Sequence, residues 1–168
     1  GHWHPFSCYY YPHEFNWEME CTICGYSMSF EDAESALPDE QYYQLCVDRS
    51  KTDVRGLALA KLAQCYLTGK GTAVDYVAAY TAMSDGASKG SLEARELKER
   101  YEIRGTLRVE NDLHWTVSHG PYYVSGNLWI LSGSTLFIDP GVQVIFVNRG
   151  RISLDRGARL HAVGTVGQ

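Results

Sequence analysis

The residues best suited to chemistry lie near the start of the chain, where Cys21 and Cys24 are separated by two residues and followed by Gly25. Three chemistries use this spacing: a redox-active thiol pair, half of a metal site, or a strained local disulfide. A redox pair normally stands at the N-terminus of a helix, which lowers the pKa of the first thiol. Here the next helix cap is expected only at Ser29, so the spacing favours a metal site.

A structural zinc site needs four ligands, and two more must come from the same segment. His4 and Cys8 form the best pair, because their spacing places both on one side of a turn, and His13 is the alternative to His4. With so few aliphatic residues, the segment would bury too little apolar surface to fold without a metal. Reduced, buried cysteines are the alternative. The predicted ligands of this structural zinc are His4, Cys8, Cys21 and Cys24.

Composition limits what the 168-residue chain can bind. Its hydrophobic fraction of 45% is enough for a buried core, and its net charge of -5, with both signs mixed, provides no basic surface for nucleic acid. The apolar runs are far shorter than the roughly 20 residues that cross a bilayer. Five cysteines, an odd count, argue against a purely disulfide framework. We expect no nucleic-acid partner and no membrane span.

The amino-acid composition changes twice along the chain, and the three resulting segments predict a multi-part α+β fold. Residues 1–28 are rich in His, Cys and aromatic residues, and residues 29–104 carry Ala, Leu, Lys and Glu at helical spacing. Residues 105–168 are rich in Val, Ile and Gly and alternate with period two, which is typical of strands. These three ranges are the predicted domains.

The middle part predicts five short helices. Ser29, Asp75 and Ser91 have the types and positions of helix N-caps. Pro38 begins the second helix, where proline is tolerated, and the third helix is expected over roughly 54–68. On or near one face of this helix we expect Leu57, Leu59, Leu62, Cys65 and Tyr66.

The strand part repeats every eight residues from Asn127, as NLWILSGS, TLFIDPGV, QVIFVNRG, RISLDRGA and RLHAVGTV. The second and fourth places of each octad are apolar and should point inward. Glycine takes the seventh place in three octads, as Gly133, Gly141 and Gly157. Each octad therefore predicts a short strand with a glycine corner, and the fixed period predicts two or three parallel stacked coils.

The third place of each octad points away from that core. The residues there are Trp129, Phe137, Ile145, Ser153 and His161. Large apolar groups in this position are either covered by the helical part or form an aromatic platform for a sugar or a peptide. The candidate binding residues are Trp129, Phe137, Tyr122 and Tyr123.

No set of residues predicts catalysis within this chain. Asp112, His114 and His119 lie close in sequence, but no catalytic motif accompanies them. Cys46 and Cys65 fall on helix faces and are expected in the core, and their spacing alone does not support a disulfide.

Three stretches resemble known families. Residues 1–28 resemble a small zinc ribbon of pattern H-x3-C-x12-C-x2-C. The stretch ALAKLAQCYLTGKGTAVDYVAAYTAMSDGASKGSLEA resembles a Sel1-like repeat, a relative of the tetratricopeptide repeat, although Ala63 stands where that family usually has glycine. The matching positions are Leu62, Tyr66, Gly69, Gly71, Asp75, Ala79, Tyr80, Ala87, Gly90 and Ala94. This resemblance implies a short α-solenoid and protein interaction.

The third resemblance runs from GPYYVSGNLWILSGSTLFIDPGVQVIF through GRISLDRGARLHAVGT. These residues resemble the N-terminal coils of bacterial right-handed parallel β-helix proteins, which continue for many more coils. The resemblance implies an N-terminal fragment of a larger bacterial protein, with further coils or an oligomer partner over the C-terminal end.

Together these patterns predict a non-catalytic protein-interaction scaffold or binding module. The alternative is the non-catalytic head of a secreted carbohydrate-active β-helix enzyme resembling a polysaccharide lyase, with a glycan ligand and catalysis beyond residue 168. A thiol oxidoreductase is the weakest hypothesis. A β-helix favours the cell surface or secretion, whereas zinc-bound reduced cysteines favour the cytoplasm; we expect the former.

Overall fold

The computed structural model describes residues 29–164, which divide into two compact units between Arg95 and Glu96. The first unit is helical and the second consists mainly of strands, so the predicted α+β class is confirmed for this part of the chain. The predicted zinc ribbon, with ligands His4, Cys8, Cys21 and Cys24, lies outside the described residues and stays a prediction.

All five predicted helices are present. The three predicted N-caps are confirmed, since Ser29 Oγ accepts from the Asp32 N–H at 3.1 Å and Asp75 Oδ1 accepts from the Ala78 N–H at 2.9 Å. Ser91 Oγ accepts from the Ala94 N–H at 3.1 Å in the same way. The helices are α1 (Phe30–Ala36), α2 (Asp39–Ser50), α3 (Leu57–Thr68), α4 (Tyr76–Ser88) and α5 (Leu92–Tyr101).

The third helix begins later than its apolar pattern predicts. The Asp53 carboxylate accepts from the Gly56 N–H at 2.8 Å and from the Leu57 N–H at 3.1 Å, so residues before Leu57 form a turn that caps the helix. Leu57 was expected on or near the same face as Leu59 and Leu62; those two side chains are buried, whereas Leu57 is 52% exposed on the first turn.

Small residues let the helices of the first unit approach closely. Gly56 has a φ of 78°, and a Cβ there would overlap the Gly86 backbone. Gly69 ends α3 in the left-handed conformation, with its N–H donating to the Cys65 carbonyl at 2.9 Å. Ala79 and Ala94 are fully buried. Left-handed glycines at the helix ends and small buried side chains at the helix contacts therefore allow the close packing of this unit.

The second unit contains nine described strands in three parallel three-stranded sheets. The first sheet is β1-β4-β7, the second is β2-β5-β8 and the third is β3-β6-β9. The chain visits the three sheets in turn, three times, so the predicted parallel stacked coils are confirmed and are compatible with part of a β-helix. The strands are β1 (Glu102–Ile103), β2 (Thr106–Val109), β3 (Leu113–Trp115), β4 (Tyr122–Val124), β5 (Asn127–Ile130), β6 (Thr135–Ile138), β7 (Val144–Phe146), β8 (Arg151–Leu154) and β9 (Arg159–Ala162).

The coils begin earlier than predicted. Glu102 falls within the range 29–104 that was predicted to be helical, but it opens β1, because its backbone pairs with Tyr123 of β4. Strand pairing therefore overrides the helix propensity of glutamate here. The corners follow the prediction, as Gly133, Gly141 and Gly157 all have φ between 84° and 87°.

The second coil is the most buried part of this unit. The register aligns Leu107, Leu128 and Ile152 in one column of the second sheet. Leu128 is fully buried in the middle coil, whereas Leu107 is 45% exposed in the first. In the third coil, Leu160 is 46% exposed, although its partner Leu136 is fully buried. In these two columns, the apolar side chain is therefore best covered where a coil stacks on both sides of it.

Candidate binding face

The predicted outward-facing residues lie on different sheets. Trp129 belongs to β5 in the second sheet, Phe137 to β6 in the third and Ile145 to β7 in the first. Each alternates with inward residues of the core, such as Leu128 and Leu136, and so faces away from that core. The structure does not bring the candidate binding residues into one surface, because successive octads occupy successive sheets.

Tyr122 packs against other residues of the fold, and Tyr123 is buried in it. The Tyr122 ring stacks on Trp115 with centroids 4.4 Å apart and an angle of 11° between the planes. Its hydroxyl accepts from the Thr116 N–H at 3.1 Å and donates to the Thr116 carbonyl at 3.3 Å. Tyr123 is fully buried. Neither ring is presented to solvent as a platform.

Trp129 is held in place by polar neighbours on the second sheet. Its indole N–H donates to Asp155 Oδ1 at 2.6 Å, and the Arg108 guanidinium carbon lies 5.5 Å from the ring centroid. Beside it, Ser153 Oγ donates to Asn127 Oδ1 at 2.7 Å. Arg108 belongs to the first coil and Asp155 follows β8 of the third coil. Through these two contacts, Trp129 holds adjacent coils together.

Phe137 stands in a different environment on the third sheet. The register places His114, Phe137 and His161 side by side on successive coils, and we call these three the His–Phe–His column. The ring centroids are 5.9 Å apart on the first side and 5.7 Å apart on the second, with tilted planes. His114 Nε2 lies 2.5 Å from Asp139 Oδ1, which orients the first imidazole.

Arg159 adds a cation beside this column. It is the register partner of Thr135, and its side chain is exposed, as is that of His161. A surface cavity is lined by Thr135, Phe137, Arg159, Leu160 and His161. We call the outer surface formed by His114, Thr135, Phe137, Arg159 and His161 the third-sheet face. It combines a ring face, a guanidinium that can pair with a carboxylate, two imidazoles and a hydroxyl.

Phe137 and His161 were both predicted to face outward, but their pairing was not predicted. One coil contains three octads, so Phe137 meets His161 three octads later and not the octad that follows directly. A search for a three-octad period would have paired these two residues. Arg159 gave no signal, because an arginine on a strand is usually only solvated.

The three residues considered for catalysis, Asp112, His114 and His119, have separate partners. Asp112 Oδ1 accepts from the Thr135 N–H at 2.8 Å, while His114 pairs with Asp139. His119 Nδ1 lies 2.8 Å from Thr116 Oγ1. The three side chains therefore serve three different contacts.

Within residues 29–164, no three His, Cys, Asp or Glu side chains form a group that could hold a metal ion. The zinc prediction concerns other residues and is untouched by this finding. No described helix has the length and apolar character needed to cross a bilayer.

Comparison with known proteins gave no match. No protein-family model matches the chain, and neither a curated protein nor a solved structure is significantly similar to it. The coarse fold is therefore defined by the strand pairing of this chain alone.

Proposed function

We propose that this chain is a non-catalytic protein-binding module and that the third-sheet face is its docking surface. One observation carries the proposal: Phe137 lines a surface cavity beside the exposed side chains of Arg159 and His161. Aromatic residues and arginine are the types enriched at the centres of protein interfaces.

The charges of the third-sheet face define the chemistry of the partner. Arg159 is exposed, and the two imidazoles of the His–Phe–His column belong to the same face. The nearby Asp139 carboxylate is engaged by His114. The face therefore suits a segment that carries an Asp or Glu side chain for Arg159 and an apolar side chain for the Phe137 ring.

Two of the three family resemblances, to a Sel1-like repeat and to a β-helix, support a scaffold of this kind. The turn and cap geometry of Gly69 and Asp75 is what a Sel1-like repeat requires, and such arrays bind proteins. The three parallel sheets are what the N-terminal coils of a right-handed β-helix require. We place the module at the cell surface or in the secreted fraction, and we retain a structural zinc in residues 1–28.

A matched pair of arginines tests the docking surface. Arg159 and Arg151 are both exposed and both open a strand, β9 and β8, but they lie on different sheets. The probe is an array of defined peptides that contain Asp or Glu next to Leu or Phe, with amide-substituted copies as neutral controls. We expect Arg159→Ala to weaken binding by about 10-fold to 100-fold, as a lost charge-assisted hydrogen bond would, while Arg151→Ala binds normally.

Phe137→Ala should also weaken binding, since it removes the ring from the cavity. Equal losses in Arg159→Ala and Arg151→Ala would indicate general charge attraction and would contradict a specific third-sheet face. Binding that ignores the amide substitution would contradict the role given to Arg159.

The alternative function is the non-catalytic head of a secreted carbohydrate-active enzyme. The combination of the Phe137 ring, the Thr135 hydroxyl and the Arg159 guanidinium favours it, because a ring face stacks on a sugar and a guanidinium binds a uronate. A glycan array with the same variants distinguishes the two functions. Glycan binding lost in Phe137→Ala, without peptide binding, would favour the enzyme head.

Exposed apolar side chains on the third coil support a further partner. Phe146 is 53% exposed and Leu154 is 48% exposed, although both stand in register with buried residues of the second coil. We propose that further β-helix coils or an oligomer partner cover them. In sedimentation velocity, an oligomer would show a mass that rises with concentration and falls in Leu154→Asp; a constant monomer mass would contradict the oligomer.

A further inference from the structure

Another surface cavity lies in the helical unit and shares no residue with the third-sheet face. Its volume is about 280 Å³, and it is lined by the first residue of α1, the last turn of α2, the turn that follows and the first turn of α3. The docking function proposed above does not use it. Its apolar lining residues are Phe30, Val54, Leu57 and Ala58, and Arg49 and Arg55 add two guanidiniums.

The apolar part of this lining is more exposed than a core requires. Val54 is 83% exposed and Leu57 is 52% exposed, although the adjacent Ala58 is buried. Phe30 contributes an aromatic ring to the same cavity. Small-molecule sites are lined mainly by apolar side chains, with a few polar groups that fix the orientation of the ligand. A ligand with a hydrocarbon part would cover the two side chains that the fold leaves exposed.

The cavity also gathers positive charge in a unit that is acidic. Residues 29–95 contain ten acidic and seven basic side chains, yet two of the three arginines, Arg49 and Arg55, line this cavity. Lys61 and Lys70 each form an ion pair with a glutamate of the same unit. Arg55 is exposed and forms no ion pair with any residue that the structure describes. Its guanidinium is therefore available to an anion from outside.

Asp53, the acidic residue of the lining, is already engaged by the backbone. Its Oδ1 accepts from the Gly56 N–H at 2.8 Å and from the Leu57 N–H at 3.1 Å, and its Oδ2 accepts from the Leu59 N–H at 3.0 Å. The N-terminus of α3 thus offsets the charge of this carboxylate, because the positive end of the helix dipole lies there. Asp53 leaves the Arg55 guanidinium to a second anion.

We propose that this cavity binds a small amphipathic carboxylic acid, whose carboxylate pairs with Arg55 and whose hydrocarbon part lies against Val54 and Leu57. A guanidinium holds a carboxylate through two parallel hydrogen bonds, which gives the pair its geometry as well as its strength. The Thr52 hydroxyl is a further donor in the lining. The volume equals the share of about nine water molecules in liquid water, which suits an acid of about ten non-hydrogen atoms, such as octanoate.

Isothermal titration calorimetry of the full chain with octanoate tests the site. Octanamide has the same hydrocarbon chain without the charge, and acetate has the charge without the chain. We expect octanoate to bind saturably with one molecule per chain, octanamide to bind at least about 10-fold more weakly, and acetate not to saturate.

Arg55→Ala should weaken octanoate binding by about 10-fold or more, because a charge-assisted hydrogen bond is lost. Arg95→Ala is the matched control, since Arg95 is also exposed and belongs to the same unit but does not line the cavity. Val54→Ser should weaken binding by about 3-fold to 10-fold through lost apolar contact. Val54 and Arg55 are both exposed, so the melting temperature of the helical unit should not change in either variant.

Phe137→Ala keeps this site distinguishable from the third-sheet face. It should bind octanoate normally, and a loss of binding in this variant would place octanoate on that face and overturn the proposal. The proposal is also overturned if octanoate does not saturate, if it binds no more tightly than octanamide, or if Arg55→Ala and Arg95→Ala lose binding equally. Tighter binding of a short peptide with a C-terminal leucine carboxylate than of octanoate would overturn the assignment to a small acid and indicate a protein C-terminus instead.

Discussion

Replacing Leu128 with alanine tests whether the three coils share one continuous core. Leu128 is fully buried at the centre of β5, between Leu107 of the first coil and Ile152 of the third. Removing three carbon atoms there costs the transfer free energy of those atoms and leaves a cavity closed on both sides. We expect the free energy of unfolding of this unit to fall by about 3 to 4 kcal/mol.

Leu107→Ala is the matched control. It makes the same change in the same column of the same sheet, but Leu107 is 45% exposed and leaves no closed cavity. About half of the transfer term is lost, so we expect a cost of about 1 kcal/mol. The difference between the two variants isolates the contribution of stacking a coil on both sides.

Hydrogen–deuterium exchange of peptides from residues 122–146 measures the effect within the second unit alone. A loss of about 3 kcal/mol corresponds to exchange about 150-fold faster, whereas the control should change it by less than about 10-fold. Equal effects of the two substitutions would contradict this prediction, because they would mean that the middle coil is no better covered than the first.

Three other predictions concern the rest of the chain. Asp75→Ala should destabilise the helical unit by about 1 kcal/mol in urea unfolding, because the Ala78 N–H loses its cap, while Asp75→Asn should recover most of the loss. The hydrogen bond between the Tyr66 and Tyr43 hydroxyls raises the pKa of Tyr66 from 10.0 to about 12, because the protonated Tyr66 hydroxyl makes it. The stability that this bond contributes should be complete below pH 10 and lost as the pH rises through about 12. Tyr66→Phe should flatten this part of the pH–stability curve, and an unchanged curve would contradict the assignment. Metal analysis should find about one zinc per chain, and a chelator should speed exchange in residues 1–28 before it affects the helices; a metal-free chain with a Cys21–Cys24 disulfide would overturn the zinc ribbon.

The local features of the fold were readable from the sequence. Side chains such as Ser29 and Asp75 indicate helix starts because they bond to backbone groups only a few residues away. The octads indicate strands for the same reason, because the alternation lies within a single strand and a glycine corner follows a few residues later. The position of Glu102 was misjudged because pairing with Tyr123, on a strand of the next coil, decides its conformation.

The candidate site was only partly readable because it depends on register between coils. Phe137 was identified from alternation along one strand, but its contacts with His114 and His161 come from strands in other coils. Tyr123 was predicted as a binding residue of an exposed platform beside Tyr122, but its side chain is fully buried. Sequence alternation gives the side of a strand, and only the folded chain gives the neighbours.

The way in which each strand pairs with the strand three places later also restricts how this protein can change in length. Removing one octad before β9 would shift every later strand to the adjacent sheet. Arg159 would then no longer pair with Thr135, and the third-sheet face would be lost. Removing or duplicating three consecutive octads would instead restore the pairing of each strand with its own sheet. Insertions and deletions in this unit should therefore be tolerated when they comprise one whole coil of three strands. Natural or engineered variants of this unit should differ in length by whole coils.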